Sequence, residues 1–453
     1  MKFLPKRNNR PYRNWRDYQR NLQRNTRSKH HLRRIPWLGI WAGVAVLFLC
    51  AFFYAGSWPF ATRERSNPLL PDSPSEEQDS SPPGISRDDL PRVLSPLKLE
   101  FLPDTGRYTL AGSDPSLTVE TSLNMSLQRY ASRLLKRSRT VQAAVVVLRP
   151  YDGRILVLAD YESDGSNPHT DENLCLQAGF PAASLFKIVS AAAAIEAKSF
   201  TPDKILYFRG RKYTLYKSQL RQRKDRYTTR ISLRHAFSRS VNPVFGKIGI
   251  YDLGGALMTQ YATGFLFNES IPFDVPVARS YIEMPQDDFG LAEIASGFNK
   301  RTLISPLHAT LITAVVANDG IMMAPWLVDS IRDESGRALY QAKPNQIATP
   351  IKRSTAHNLQ VLMGDTVISG TCRKSFRPLR RKKRFENIAM GAKTGTINDK
   401  LDQFKYDWLT AYAIPPKKSE GICVTILAVH GEKLGIRAAD LARYVIARHF
   451  SPS

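Results

Sequence analysis

Cysteine is scarce in this 453-residue chain, with only Cys50, Cys175, Cys372 and Cys423, all far apart. They form neither a Cys-x-x-Cys pair nor any metal-ligand spacing, which excludes a zinc site or a disulfide framework as the organising device. No metal and no cofactor is therefore expected. The eight histidines include no His-Glu-x-x-His, and no serine stands in a Gly-x-Ser-x-Gly. Zinc-protease and nucleophile-elbow chemistry thus have no anchor. Internal repeats are absent too. Acid is missing where base is densest: from Lys2 to Arg34 the one carboxylate is Asp17, and much of the formal charge of +25 sits there. Such a charge would suit a nucleic-acid binder, so its concentration needs its own explanation.

The explanation lies next to it. Ile35 to Ala61 carries no charge and is long enough to cross ~30 Å of hydrocarbon as a helix. Trp37, Trp41, Tyr54 and Trp58 lie toward its ends, as interfacial aromatics do. A cleaved signal peptide would have a much shorter apolar region. The expectation is a basic cytoplasmic arm (1–34), a transmembrane signal anchor (35–61) and everything beyond on the outer side of a bacterial inner membrane. A basic arm beside a span is a topology signal or a contact for anionic lipid, so no nucleic-acid partner is expected.

From 62 to 117 the chain reads as a linker, because its Pro, Ser, Asp and Glu content buries too little apolar surface to fold. A folded unit is expected from Thr118 to the end. It opens with a helix over Met125 to Lys136 and two strands, Val141 to Leu148 and Arg154 to Asp160, joined at the Asp152-Gly153 turn. Ile388 to Ala392, Trp408 to Ile414 and Ile422 to Val429 also read as strands, and Ala438 to Phe450 as a closing helix. The middle is mostly helical, with Leu185 to Ala197 its clearest segment. Strands at both ends with helices between predict one α/β domain whose sheet joins the two chain ends, not repeated βαβ units.

Ser184-Leu185-Phe186-Lys187 places a serine and a lysine on one helical face at the start of that segment. A hydroxyl is a poor nucleophile until a base takes its proton, and a desolvated lysine can be that base. The helix start adds positive potential where an oxyanion would form. Alone the pattern is weak, since Ser95-Pro96-Leu97-Lys98 matches it inside the Pro-rich stretch. Ser240-Val241-Asn242 offers a hydroxyl for proton relay and a carboxamide for a substrate amide, yet Ser122-Leu123-Asn124 matches equally. Lys393-Thr394-Gly395-Thr396 ends a β-like run. There Lys393 and Thr394 could bind a carboxylate, Gly395 lets a substrate backbone lie close, and the Thr396 N–H could share an oxyanion with that of Ser184. What carries weight is the conjunction of all three in this order, each on the element its chemistry needs.

In this the sequence resembles the penicillin-binding transpeptidases over roughly Ser116 to Phe450, including AAVVVLRPYDGRILVLADY before Ser184 and SPLHATLITAVVANDGIMMAPWLV after Asn242. The resemblance implies the penicillin-binding/β-lactamase-like fold, an antiparallel sheet flanked by helices with a helical subdomain. It implies a serine acyl-enzyme formed on D-Ala-D-Ala stem peptides of peptidoglycan, release of D-alanine, and covalent inhibition by β-lactams. Ser184 would be the nucleophile, Lys187 the base, and Ser240 and Asn242 proton relay and amide contact. Lys393, Thr394 and Thr396 fall where the family grips the substrate carboxylate.

Two departures stand out. About 55 residues separate the anchor from the catalytic unit, too few for a large pedestal domain, and no glycosyltransferase region is seen. A separate glycan-polymerising membrane partner is the corresponding expectation, reached through Gly39, Ala42 and Gly43 of the anchor. The basic runs Tyr207 to His235 and Arg373 to Arg384 read as solvated loops, with an anionic wall polymer or lipid as the other reading. A D,D-carboxypeptidase, a β-lactamase or a non-enzymatic β-lactam sensor would share the motifs.

Overall fold

The computed structural model describes residues 84–95, 106–110, 116–163, 173–399 and 401–451. The chain divides into two units, Met1–Pro82 and Pro83–Ser453, and the described residues all fall in the second. The basic arm and the apolar 35–61 run lie outside the described residues. Among the described residues, no helix is long and apolar enough to cross a membrane.

The core is a five-stranded antiparallel sheet built, as expected, from both ends of the unit. Its strands are β1 (Gln142–Leu148), β2 (Ile155–Glu162), β3 (Ala389–Asn398), β4 (Lys405–Ile414) and β5 (Ile422–His430), in the spatial order β3-β4-β5-β1-β2. Alternation decides which face each side chain meets. Val145, Val147, Val424, Ile426, Leu409 and Ala411 point to one face, under the helices α1 (Met125–Lys136) and α8 (Ala438–His449). Ala144, Val146, Leu427, Trp408 and Tyr412 point to the other, under α5 (Pro306–Ala317). Both faces of β1 and β5 are covered, which is why these strands read as unbroken apolar runs rather than alternating ones.

Between β2 and β3 lie the helices that carry the site: α2 (Lys187–Lys198), α3 (Asn242–Lys247), α4 (Asp288–Ser296) and α6 (Arg353–Ile368). Helix α2 is almost wholly buried, from Lys187 to Ile195, and its run of four alanines lets neighbouring elements pack closely. Strand β3 is at the sheet edge: among the described residues β4 is its one strand neighbour, and α6 packs against it.

Three stretches differ from the sequence expectation. The basic run Tyr207 to His235 is not a solvated loop: Ile205–Arg209 pairs with Thr228–Ser232, and a helix begins at Leu233, because Phe208, Ile231 and Leu233 are buried. The far end of the 62–117 stretch is not plain linker: Leu90 and Leu94 are buried, and Arg107–Leu110 pairs with Leu117–Thr121. These few apolar side chains have a core to join, which composition averaged over the whole stretch conceals. The basic run Arg373–Arg384 is not a loop either. It forms the helix α7 (Arg373–Arg380) and a further turn, Lys383–Phe385, because Phe376, Leu379 and Phe385 are buried against the face under α8.

Candidate active site

Ser184 sits in a tight turn, Ala183–Phe186, that runs directly into α2. Ala183 has φ +48°, a left-handed conformation that costs a residue with a Cβ roughly 1–2 kcal/mol. The surroundings hold it there. Trp408, fully buried, donates from Nε1 to the Pro181 carbonyl at 3.0 Å, and the Ala182 N–H donates to Thr302 O at 2.9 Å. Gly297, at φ +62°, ends α4 directly against the turn: a Cβ there would stand 1.9 Å from the Ala183 carbonyl oxygen and 3.0 Å from Ser184 N. No larger residue fits without moving the serine.

Lys187 is fully buried, with Nζ 2.9 Å from Ser184 Oγ and 2.8 Å from Asn242 Oδ1, and in contact with the Ser296 carbonyl oxygen. Burial pushes its ammonium well below the ordinary lysine range, and the charge of Lys393 pushes the same way. A neutral amine has two N–H groups and one lone pair. In that neutral form, with Asn242 Oδ1 and Ser296 O accepting the two N–H groups, the lone pair would be left for the Ser184 hydroxyl.

A second buried lysine faces a second serine. Lys393 Nζ donates to Ser240 Oγ at 3.1 Å and to the Thr394 carbonyl at 2.8 Å, and it lies 5.5 Å from the centre of the Phe237 ring. Burial brings its pKa down to about 7. Ser240 is itself left-handed, at φ +53°, in the turn between the helix Leu233–Ser238 and α3. The turn is closed by the Ser240 N–H donating to Phe237 O at 3.0 Å.

The remaining predicted residues line the edge strand. Gly395 lies against the serine turn, where a Cβ would come within 3.2 Å of Ala183 Cβ and 3.5 Å of Ser184 N. The Thr394 and Thr371 hydroxyls are 2.8 Å apart, and Thr396 Oγ1 donates to Asp407 Oδ1 at 3.3 Å. Asp407 also receives Arg437 Nε at 2.6 Å, so Thr396 is tied to the start of α8. The structure thus brings Ser184, Lys187 and Asn242 into one corner and Ser240 with Lys393 into another. The two threonine hydroxyls are engaged by neighbours along the strand edge. Ser122, of the second Ser-x-Asn, is remote from this cleft and bonds the Ile155 and Trp326 carbonyls.

The penicillin-binding protein transpeptidase domain family matches residues 143–445. The chain belongs to that family. Among curated proteins, this transpeptidase-family chain is similar to the peptidoglycan D,D-transpeptidase PbpA of Mycobacterium tuberculosis, 25% identical over 378 residues, 76% of this chain and 73% of the relative. It is also similar to the peptidoglycan D,D-transpeptidase MrdA of Salmonella typhimurium, 24% identical over 76% of this chain and 60% of the relative. In fold it resembles M. tuberculosis penicillin-binding protein A, solved as an imipenem acyl-enzyme complex, with TM-score 0.60, 22% identity and coverage of 74% of this chain and 79% of that one. The D,D-transpeptidase domain of an Eggerthella lenta peptidoglycan glycosyltransferase matches with TM-score 0.60, 22% identity and coverage of 72% and 81%. The α+β transpeptidase fold with its antiparallel sheet is thereby established.

Three participants escaped the sequence reading. The Ser296 carbonyl and Gly297 come from a segment with no motif, although a glycine ending a helical pattern signals a left-handed cap. Asp407 lies just before the strand read from Trp408, and nothing in the sequence pattern assigned it a partner.

Proposed function

We propose that this chain is a peptidoglycan D,D-transpeptidase working through an acyl-enzyme on Ser184, and that β-lactams acylate the same oxygen. The observation that carries the reading is the dry Lys187 nitrogen, 2.9 Å from Ser184 Oγ and bonded to Asn242 Oδ1 and the Ser296 carbonyl, which in its neutral form would turn its lone pair to the serine. In the first step Ser184 Oγ bonds to the carbonyl carbon between the two D-alanines while its proton passes to Lys187 Nζ. Collapse of the tetrahedral intermediate breaks the C–N bond. The leaving D-alanine amine takes a proton, relayed by Ser240, which Lys393 holds in place. An acceptor amine then attacks the ester, forms the cross-link and returns the proton to Ser184. The Ser184 and Thr396 N–H groups are proposed to hold the oxyanion, Asn242 a substrate amide, and Thr394 with the charge of Lys393 behind it the terminal carboxylate. The edge position of β3, with Gly395 at the serine turn, suits a substrate lying extended along it.

The apolar 35–61 run is proposed as a membrane anchor keeping the catalytic unit outside the cytoplasm, near a glycan-polymerising membrane partner. Intact-protein mass spectrometry tests the catalytic reading. Penicillin should add its full mass at Ser184, and a D-Ala-D-Ala peptide with an acceptor amine should yield the cross-linked product and free D-alanine. Labelling that survives in Ser184→Ala would sink the assignment, and product formed only with water would make the enzyme a hydrolase.

A further inference from the structure

The two basic stretches that the reaction does not use, 207–235 and 373–384, come together in the fold beside the cleft. A cavity of about 480 Å³ is lined by Lys212, Arg230, Arg234 and Arg239, and one of about 520 Å³ by Tyr213, Arg239, Thr371 and Arg373. Arg239 lines both. Asp203, at the first, pairs with Arg234, and among the described residues no acid lines the second. Beyond Arg373 the exposed cations continue as Lys374, Arg377 and Arg380 to Arg384, with no carboxylate before Glu386.

The walls are fixed to the catalytic residues. Arg239 precedes Ser240, the partner of Lys393, and the Thr371 hydroxyl meets that of Thr394 at 2.8 Å. The Thr371 N–H donates to Ser238 O at 3.1 Å, and a Cβ on Gly370 would come within 2.4 Å of the same oxygen, so the two sides of the cleft are clamped together. Like charges held side by side repel, and the exposed Arg230, Arg239 and Arg373 have no ion-pair partner among the described residues. Guanidinium groups match carboxylates in bidentate geometry, and concave walls receive side chains where a bilayer surface would meet a flat face.

We propose that this row of cations binds the side-chain carboxylates of a wall peptide strand and leads that strand to the edge of β3. The inference rests on the transpeptidase reading and names what selects its substrate. The test uses the full-length protein in neutral detergent, a fluorescein-labelled tetraglutamate peptide and its tetraglutamine counterpart. The wild type should bind tetraglutamate, more weakly as salt rises from about 50 to about 200 mM, and Arg230→Gln/Arg373→Gln should bind it at least tenfold more weakly. Neither should bind tetraglutamine. Saturating tetraglutamate should also slow penicillin labelling of the wild type at least threefold. Equal binding by both proteins, as the basic 1–34 arm alone would give, overturns the proposal. So does labelling that bound peptide leaves untouched, or a loss seen with soluble anionic phosphatidylglycerol but not with the peptide. A wild type that penicillin never labels removes the catalytic reading instead, while the difference in peptide binding between the two proteins is still measured.

Discussion

Two lysines, each buried and each beside a serine, divide this cleft into unlike halves. Lys187 and Ser184 are three residues apart on one helical turn, while Lys393 and Ser240 are brought together across 153 residues of chain. Both side-chain nitrogens lie near a phenyl ring, Phe245 for Lys187 and Phe237 for Lys393. The difference lies in what else each nitrogen touches. Lys187 meets Asn242 Oδ1 and the Ser296 carbonyl, and the positive Lys393 opposes its protonation. Lys393 has fewer acceptors and a pKa near neutrality, about 7. The first lysine, its ammonium disfavoured by burial and by Lys393, suits the base of the proposed mechanism, and the second suits a charge that depends on pH.

The largest effect that would sharpen this contrast is on acylation itself. Lys187→Met should slow penicillin acylation about a thousandfold or more, close to the loss from removing Ser184, if Lys187 and Ser184 act as one unit of base and nucleophile as proposed. Stopped-flow labelling measures it. Lys393→Met should lose only about tenfold to a hundredfold, because it removes a positioning charge and not the proton acceptor. Equal losses for the two variants would abolish the distinction.

Next in size is the turn that aims Ser184. Gly297→Ala should cut acylation about a hundredfold, since its Cβ must displace the Ala183 carbonyl from 1.9 Å, and should cost about 2 kcal/mol or more in urea unfolding. Wild-type rates in that variant would mean the Ser184 turn has slack that its contacts deny.

The third concerns pH and stability. The Lys393 ammonium titrates near 7 in the folded chain against 10.5 as the ordinary value. Between those limits the unfolded chain holds more protons, so stability rises with pH. The penalty for burying Lys393 is absent above pH 10.5 and fully developed below about 7. Lys393→Met should therefore raise Tm over the wild type at pH 6–7, with a gain that shrinks toward pH 10. A pH-independent difference would show that packing, and not charge, separates the two proteins.

The sequence told more about the first lysine corner than about the second. Ser184 and Lys187 were legible because their contact is local and helical spacing alone sets it. The order of the three motifs then implied that 240–242 and 393–396 converge on them, although no periodicity gives the Ser240–Lys393 contact. The five strands were legible because β1, β4 and β5 are apolar runs of strand length, while β3 proved longer than read, since Lys393 to Asn398 breaks the apolar pattern where the site begins. The Ser296 carbonyl was not legible in any form, as a backbone oxygen leaves no mark on residue identity. The run Arg373 to Arg384 was misjudged because its eight cations outweigh Phe376, Leu379 and the adjoining Phe385 in any window average, although helices bury faces rather than averages.

The smallest expected effect comes from the residue facing Gly297 across the serine turn. Ala183 is left-handed at φ +48°, where glycine would sit without strain, so Ala183→Gly removes a cost of roughly 1 kcal/mol. Two losses oppose the gain. The unfolded chain gains freedom, at about 0.5–1 kcal/mol, and the Ala183 methyl no longer fills the space above Gly395, where it would meet an added Cβ at 3.2 Å. The sum is near zero, so urea midpoints should agree within about 0.5 kcal/mol. Acylation should still fall about twofold to fivefold, because a turn with more accessible conformations holds Ser184 Oγ on the Lys187 lone pair for less of the time. A stability loss beyond about 2 kcal/mol would mean that the methyl, and not the surrounding contacts, holds the turn. An unchanged acylation rate would mean that Gly297 and Trp408 fix the serine without help from the Ala183 backbone.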